Sequence, residues 1–185
     1  QMKNNSENII LENLGKNISK QLEKRDWSQK TFAEKLRCAD IEFSPHQTDI
    51  FKYLCGTVEM GFYELLCICQ VLEVHSSVLL ATTKQPKAKY QTITYLNNRH
   101  DFKQAFGKQL THLIHVNREK INSFSAAYTD AAYHLGFSDS RSTPTDFTLY
   151  RYQKGLRNPL LLNAVILCQL FNIELSDFFN NPENQ

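Results

Sequence analysis

The chain is most informative at first through what it has little of. Neither charge is in surplus: among 185 residues, 21 Lys and Arg stand against 19 Asp and Glu, a formal net charge of +2. That balance excludes a histone-like binder held to nucleic acid by bulk charge alone. No apolar run approaches the roughly 18–20 residues that a transmembrane helix needs. The opening QMKNNSENIILENLG lacks the basic-then-apolar order of a signal peptide, so a soluble, cytoplasmic protein with no membrane partner is expected. There is no HExxH, no GxSxG and no Gly-rich phosphate loop, and the six glycines are mostly spent on helix ends. His112-x-x-His115 has no third ligand nearby, and Asp130 with His134 reads as a solvated pair rather than a dyad. No enzyme activity, metal or small-molecule cofactor is expected from these residues.

Cysteine pairing is missing as well. Cys38, Cys55, Cys67, Cys69 and Cys168 form no CxxC motif, and Cys67-Ile68-Cys69 has the wrong spacing for a zinc knuckle. Free thiols acting as small hydrophobes in a reducing compartment are expected.

What is present is a repeat. Setting residue n against n+99 aligns Ala33 with Ala132, Leu36 with Leu135, Pro45 with Pro144, Lys52 with Arg151, Tyr53 with Tyr152 and Gly56 with Gly155. The run continues through Cys69 on Cys168, Gln70 on Gln169, Leu72 on Phe171, Val74 on Ile173 and Ser77 on Ser176. Upstream the offset is 92, with LGKNI (14–18) on FGKQL (106–110), so seven residues are added in the second copy before Ala132. Two copies of one module are therefore expected: a first domain over 1–82, a linker over 83–100 and a second domain over 101–185.

Each copy reads as five short helices, which makes the fold all-α. In copy one, Leu14, Ile18 and Leu22 make the stripe of a first helix. Ser28 offers an N-cap to a second helix, QKTFAEKLR, that buries Phe32, Ala33 and Leu36. Ser44-Pro45 announces a third helix as cap and first residue, and Gly56 ends it. Copy two repeats this with the capping sequence Thr143-Pro144-Thr145-Asp146 and a stop at Gly155. Fourth helices are expected around 61–73 and 159–171, and short fifth ones at 76–80 and 175–179. The intervening KQPKAKYQTITYLNNRH (84–100) carries Lys84, Lys87, Lys89 and Arg99 and no acid. Its β-prone Tyr90–Leu96 stretch is either a lone strand or an extended spacer.

With these helices, the modules resemble the Cro/C1-type (XRE) helix-turn-helix family, which includes the lambda-repressor-like domains. Copy one carries the second-helix signature, Trp27-Ser28-Gln29-Lys30-Thr31-Phe32-Ala33-Glu34-Lys35-Leu36. Copy two carries the stretch after the third helix, Gly155-Leu156-Arg157-Asn158-Pro159, and the ending Asn172-Ile173-Glu174-Leu175-Ser176-Asp177-Phe178-Phe179. The resemblance covers both modules, roughly 150 residues, and implies two tandem five-helix domains that bind double-stranded DNA. Relative to the family, both copies hold about seven more residues between helices two and three (around 38–43 and 137–142). Thr57-Val58-Glu59 replaces the usual basic residue after Gly56, and Tyr128 stands at the place matching Gln29.

What the resemblance implies for single residues follows from the third helix lying in the major groove. Base-reading positions would be Gln47, Thr48, Phe51 and Lys52 in copy one, and Asp146, Phe147, Tyr150 and Arg151 in copy two. Gln47 could pair with adenine and Arg151 with guanine. Ile50, Tyr53, Leu149 and Tyr152 would face the core. Phosphate contacts would come from Ser28, Gln29 and Lys30 on helix two, from Lys154 and Arg157 after helix three, and from the linker charges, Lys87 and Lys89 among them. The large Phe51, Phe147 and Tyr150 could touch thymine methyls, fill a second core layer under the longer loop, or form a protein interface, the core being the commoner fate of such residues. Because the copies differ at every base-reading position, unlike half-sites are expected, read by a monomer or a homodimer. The rival implication is a protein-binding module, an antitoxin or a phage-type inhibitor, on the same scaffold.

Overall fold

The computed structural model describes residues 6–81, 98–138, 141 and 146–179. Every regular element among the described residues is helical. No helix among them is long and apolar enough to cross a membrane. The chain divides into two compact units, Asn8–Arg99 and His100–Gln185 with Gln1–Glu7.

In the first unit, helix α1 (Ser6–Glu23) buries Leu11, Leu14, Ile18 and Leu22, apolar residues recurring every three or four positions. The buried Asn17 amide lies on the same helix and donates to the carbonyls of Leu79 (2.9 Å) and Ala81 (2.8 Å). Those groups lie at the end of α5 (Ser76–Leu80) and would otherwise go unpaired. Helix α2 (Gln29–Cys38) starts where the sequence places it: Ser28 Oγ accepts the Thr31 N–H at 3.0 Å. Phe32, Ala33 and Leu36 are buried beneath it.

Helix α3 (Gln47–Leu54) starts two residues later than Ser44-Pro45 suggests. Pro45 is buried, ahead of the helix, and His46 is the cap. The Asp49 carboxylate in the first turn accepts the His46 N–H at 3.1 Å, the reciprocal half of a capping box that fixes the start at His46. Helix α4 (Phe62–Leu72) is apolar nearly all round and is the centre of the unit. Cys67 and Cys69 are buried in it.

The second unit follows the same order: α6 (Arg99–Val116), α7 (Phe124–His134), α8 (Asp146–Gln153), α9 (Leu161–Phe171) and a 3-10 turn, Leu175–Phe179. Its core holds more aromatic rings than that of the first. Phe106 stacks on Phe178 at 4.8 Å between centroids and meets Tyr152 edge-on at 6.0 Å. Helix α7 begins at Phe124, capped by the Ser123 hydroxyl, four residues ahead of the place matching Gln29. Tyr128 is thereby a mid-helix core residue, 1% exposed, and no counterpart of Gln29. The capping sequence 143–145 and the linker stretch 82–97 lie outside the described residues.

The repeat register is written in the backbone. Helix three ends identically in both copies, at glycines in the left-handed region: Gly56 with φ +67° and Gly155 with φ +64°. The N–H groups of Thr57 and Leu156 reach back to the carbonyls of Lys52 (3.1 Å) and Arg151 (2.9 Å), closing the same six-residue turn. Against these ends lies a glycine of the first helix: Gly15 meets the Leu54 and Tyr53 carbonyls, and Gly107 meets those of Gln153 and Tyr152.

Two cysteines depart from expectation. Cys67, Cys69 and Cys168 are buried, but Cys38 and Cys55 are exposed. Cys38 lies two residues beyond the buried Leu36, about 200° round the helix, and therefore faces away from the core.

Candidate nucleic-acid interface

Helix three is seated in the same way in both units. Ile50 (1% exposed), Leu149 (6%) and Tyr152 (1%) face inward, and Tyr53 is half-buried. The opposite stripe of α3 is outward, with Gln47, Thr48, Phe51 and Lys52 all exposed. Lys52 Nζ stands 3.9 Å from the Asp49 carboxylate, a solvated pair that leaves the ammonium accessible. On α8, Phe147 and Tyr150 are exposed, Arg151 is half-buried and Lys154 lies exposed just past the helix end. The side chain of Asp146 lies outside what is described.

The three large aromatics do not join the core. Phe51 is 56%, Phe147 66% and Tyr150 52% exposed. The reason is rotational: Ile50, Leu149 and Tyr152 already occupy the inward side, and the last turn of the helix lies close against a glycine of helix one. In α8 each ring also carries a cation. The Arg151 guanidinium lies 5.5 Å from the Phe147 centroid and Lys154 Nζ 5.8 Å from that of Tyr150.

The residues assigned to phosphate divide into three groups. Ser28 is committed as an N-cap, its Oγ also lying 2.9 Å from Thr31 Oγ1, while Lys30 is exposed and Gln29 half-buried on the first turn of α2. That turn contains no acid, and its free N–H groups and partial positive charge suit an anion. Lys154 and Arg157 are exposed on the far side of helix three. Lys87 and Lys89 lie outside the described residues.

Arg99 is a correction. Counted among linker charges free to run beside phosphates, it is instead the first residue of α6 and is engaged within its unit. Its guanidinium is 2.9 Å from the Glu64 carboxylate, donates to the Glu42 carbonyl at 3.2 Å and lies 5.2 Å over the Tyr63 ring. Its backbone N–H donates to the Glu42 carboxylate at 3.0 Å.

The other unit holds a matching arrangement that the motifs did not reveal. Glu7 accepts the Ser138 N–H and hydroxyl, both at 2.7 Å, and the Arg141 Nε at 3.2 Å. Arg141 donates on to Asn163 (2.6 Å), whose amide donates to the Tyr152 hydroxyl (3.0 Å) on helix three. Burial alone would raise the Glu7 pKa, but the Ser138 hydrogen bonds and the Arg141 charge outweigh it and bring it below the ordinary value. A signal existed in the repeat register. Glu7 and Arg99 stand 92 residues apart, and Glu42 and Arg141 stand 99 apart. At both places copy one thus carries an acid and copy two a base.

Trp27 opens the second-helix signature, but what surrounds its ring is not legible in the motif. Lys35 Nζ lies 4.5 Å and the Arg25 guanidinium 5.8 Å from its ring, beside the start of α2. Among the described residues no three His, Cys, Asp or Glu side chains are gathered as a metal would need. A scan of family models finds no match to this chain, and comparisons with curated proteins and with solved structures find none either.

Proposed function

We propose that this chain is a sequence-specific, double-stranded DNA-binding transcriptional regulator built from two tandem Cro/C1-type helix-turn-helix domains. It acts as a cytoplasmic repressor and has no catalytic role. One observation carries the reading. In both copies an eight-residue third helix is locked from behind by a glycine of helix one, with its outward stripe left free for a groove. Rigid presentation matters because a base-edge hydrogen bond tolerates little angular error. Gln47 and Lys52 on α3, and Arg151 on α8, are the side chains suited to base edges. Lys30, Lys154 and Arg157 are suited to phosphates. Unlike outward stripes imply unlike half-sites, spaced by about 34–36 Å if both helices enter successive turns of one groove face.

The test is a gel shift of the full chain on random duplex at low salt, repeated at raised salt. Binding that weakens steeply with salt is expected. No binding even at low ionic strength would overturn the reading. The exposed Phe51, Phe147 and Tyr150 support a second reading, a protein-binding module on the same scaffold, since exposed aromatics beside Arg are common at protein interfaces.

A further inference from the structure

We infer that the outward stripe of the second copy reads the 5-methyl group of a pyrimidine in the major groove. This rests on the DNA-binding reading above and names what one of its two helices recognises. The argument begins with spacing. Phe147, Tyr150, Arg151 and Lys154 follow i, i+3, i+4, i+7 and therefore form one line along α8 and its end. Two members are aromatic rings more than half exposed, and the other two are cations lying over those rings. At the matching places copy one has Thr48, Phe51, Lys52 and Cys55, a stripe with one ring fewer and one cation fewer.

A surface alternating rings with cations fits a target in which an apolar group sits beside anions. In the major groove the apolar group a base pair presents is the pyrimidine 5-methyl, and phosphates flank it on both sides. A ring placed on a methyl gains by burying both. The same ring placed on the edge of an unmethylated cytosine or a guanine covers polar atoms without offering a hydrogen bond, which is unfavourable. The stripe therefore selects for the methyl and against its absence. Lys154 holds the end of the helix to a phosphate, and Arg151 takes a base edge beside the methyl. The methyl is the same group whether thymine or 5-methylcytosine carries it, so the chemistry recognised is the methyl and not the base.

The experiment uses the full chain and random duplex pools of about 30 base pairs, long enough for two half-sites. One pool contains dT, a second has dU in its place, and a third has dU with 5-methyl-dC in place of dC. Competition at low salt is expected to show the tightest fraction of the dT pool binding about three- to tenfold better than that of the dU pool. The third pool should recover most of that loss. A Phe147→Ala/Tyr150→Ala variant should bind the dT and dU pools nearly alike. Both side chains lie outside the core, so its thermal midpoint should match the parent's. Salt-sensitive binding of all pools with equal affinity for dT and dU would overturn the inference and leave the DNA-binding reading standing. A dU loss that 5-methyl-dC does not restore, or a double variant that keeps the full preference, would also overturn it. Absence of binding to every pool would remove the reading on which it rests.

Discussion

Gly15 lies directly beneath the carbonyl of Leu54, so close that a Cβ on it would fall on the last turn of helix three. Gly107 stands in the same relation to Gln153, whose carbonyl oxygen would be 2.6 Å from such a Cβ. In both units, therefore, the orientation of the outward stripe depends on a residue without a side chain on another helix.

Gly15→Ala and Gly107→Ala are each expected to destabilise their own unit, by about 1–3 kcal/mol, since the obstacle is backbone that cannot turn aside. If either folds, it should lose DNA affinity beyond what its stability predicts, because helix three has been pushed outward. Denaturant unfolding together with an anisotropy titration would check this. An alanine variant with unchanged midpoint and affinity would show that the close approach does not seat the helix.

Arg151 and Arg157 are expected to behave differently. Arg151→Ala should relax discrimination at one base position. Arg157→Ala should weaken binding about evenly across sequences and reduce the salt slope by about one. Binding to a panel of single-base variants at several salt concentrations separates the two. A uniform loss from both would mean that Arg151 does not face a base.

The Glu7 carboxylate should make the second unit sensitive to acid. Its folded-state pKa is depressed, so its contribution is fully present above the ordinary carboxylate range and is lost as pH falls through the lower native value. Glu7→Gln should cost about 1–2 kcal/mol near neutral pH and flatten the acid limb of the stability profile. Denaturant midpoints from about pH 7 down to about pH 3 would test this, and parallel profiles for parent and variant would contradict it.

Thiol reactivity should divide by burial. Cys38 and Cys55 are exposed, whereas burial pushes the Cys67 thiol up to about 12 and Cys69 higher still. The native chain at neutral pH is expected to react quickly at two thiols and at all five once unfolded. Fast labelling of Cys67 or Cys69 would show that α4 opens readily.

Much of the architecture was legible in the linear pattern. Leu14, Ile18 and Leu22, the Ser28 cap and the Gly56 and Gly155 stops act through neighbours within a turn or two, and such local rules can be read from sequence. The start of α3 was misplaced because Pro45 is used in packing ahead of the helix and Asp49 supplies the cap from inside it. Tyr128 was misread because seven added residues could be accommodated anywhere between two anchors, and the helix moved with them.

The outward aromatics and Arg99 mark the boundary between the two kinds of information. By itself the sequence determined that the described residues are helical, that one pattern of residues recurs at an offset of 99, and where most of the helices stop. Those properties depend on periodicity, caps and glycines, each acting over a few residues. Only the tertiary structure decided that Phe51, Phe147 and Tyr150 stay outside, and that Arg99 is paired with Glu64. Rotation of a helix about its axis and the pairing of charges far apart in sequence depend on what packs behind and beside them. For helix three, that neighbour is Gly15 in one unit and Gly107 in the other.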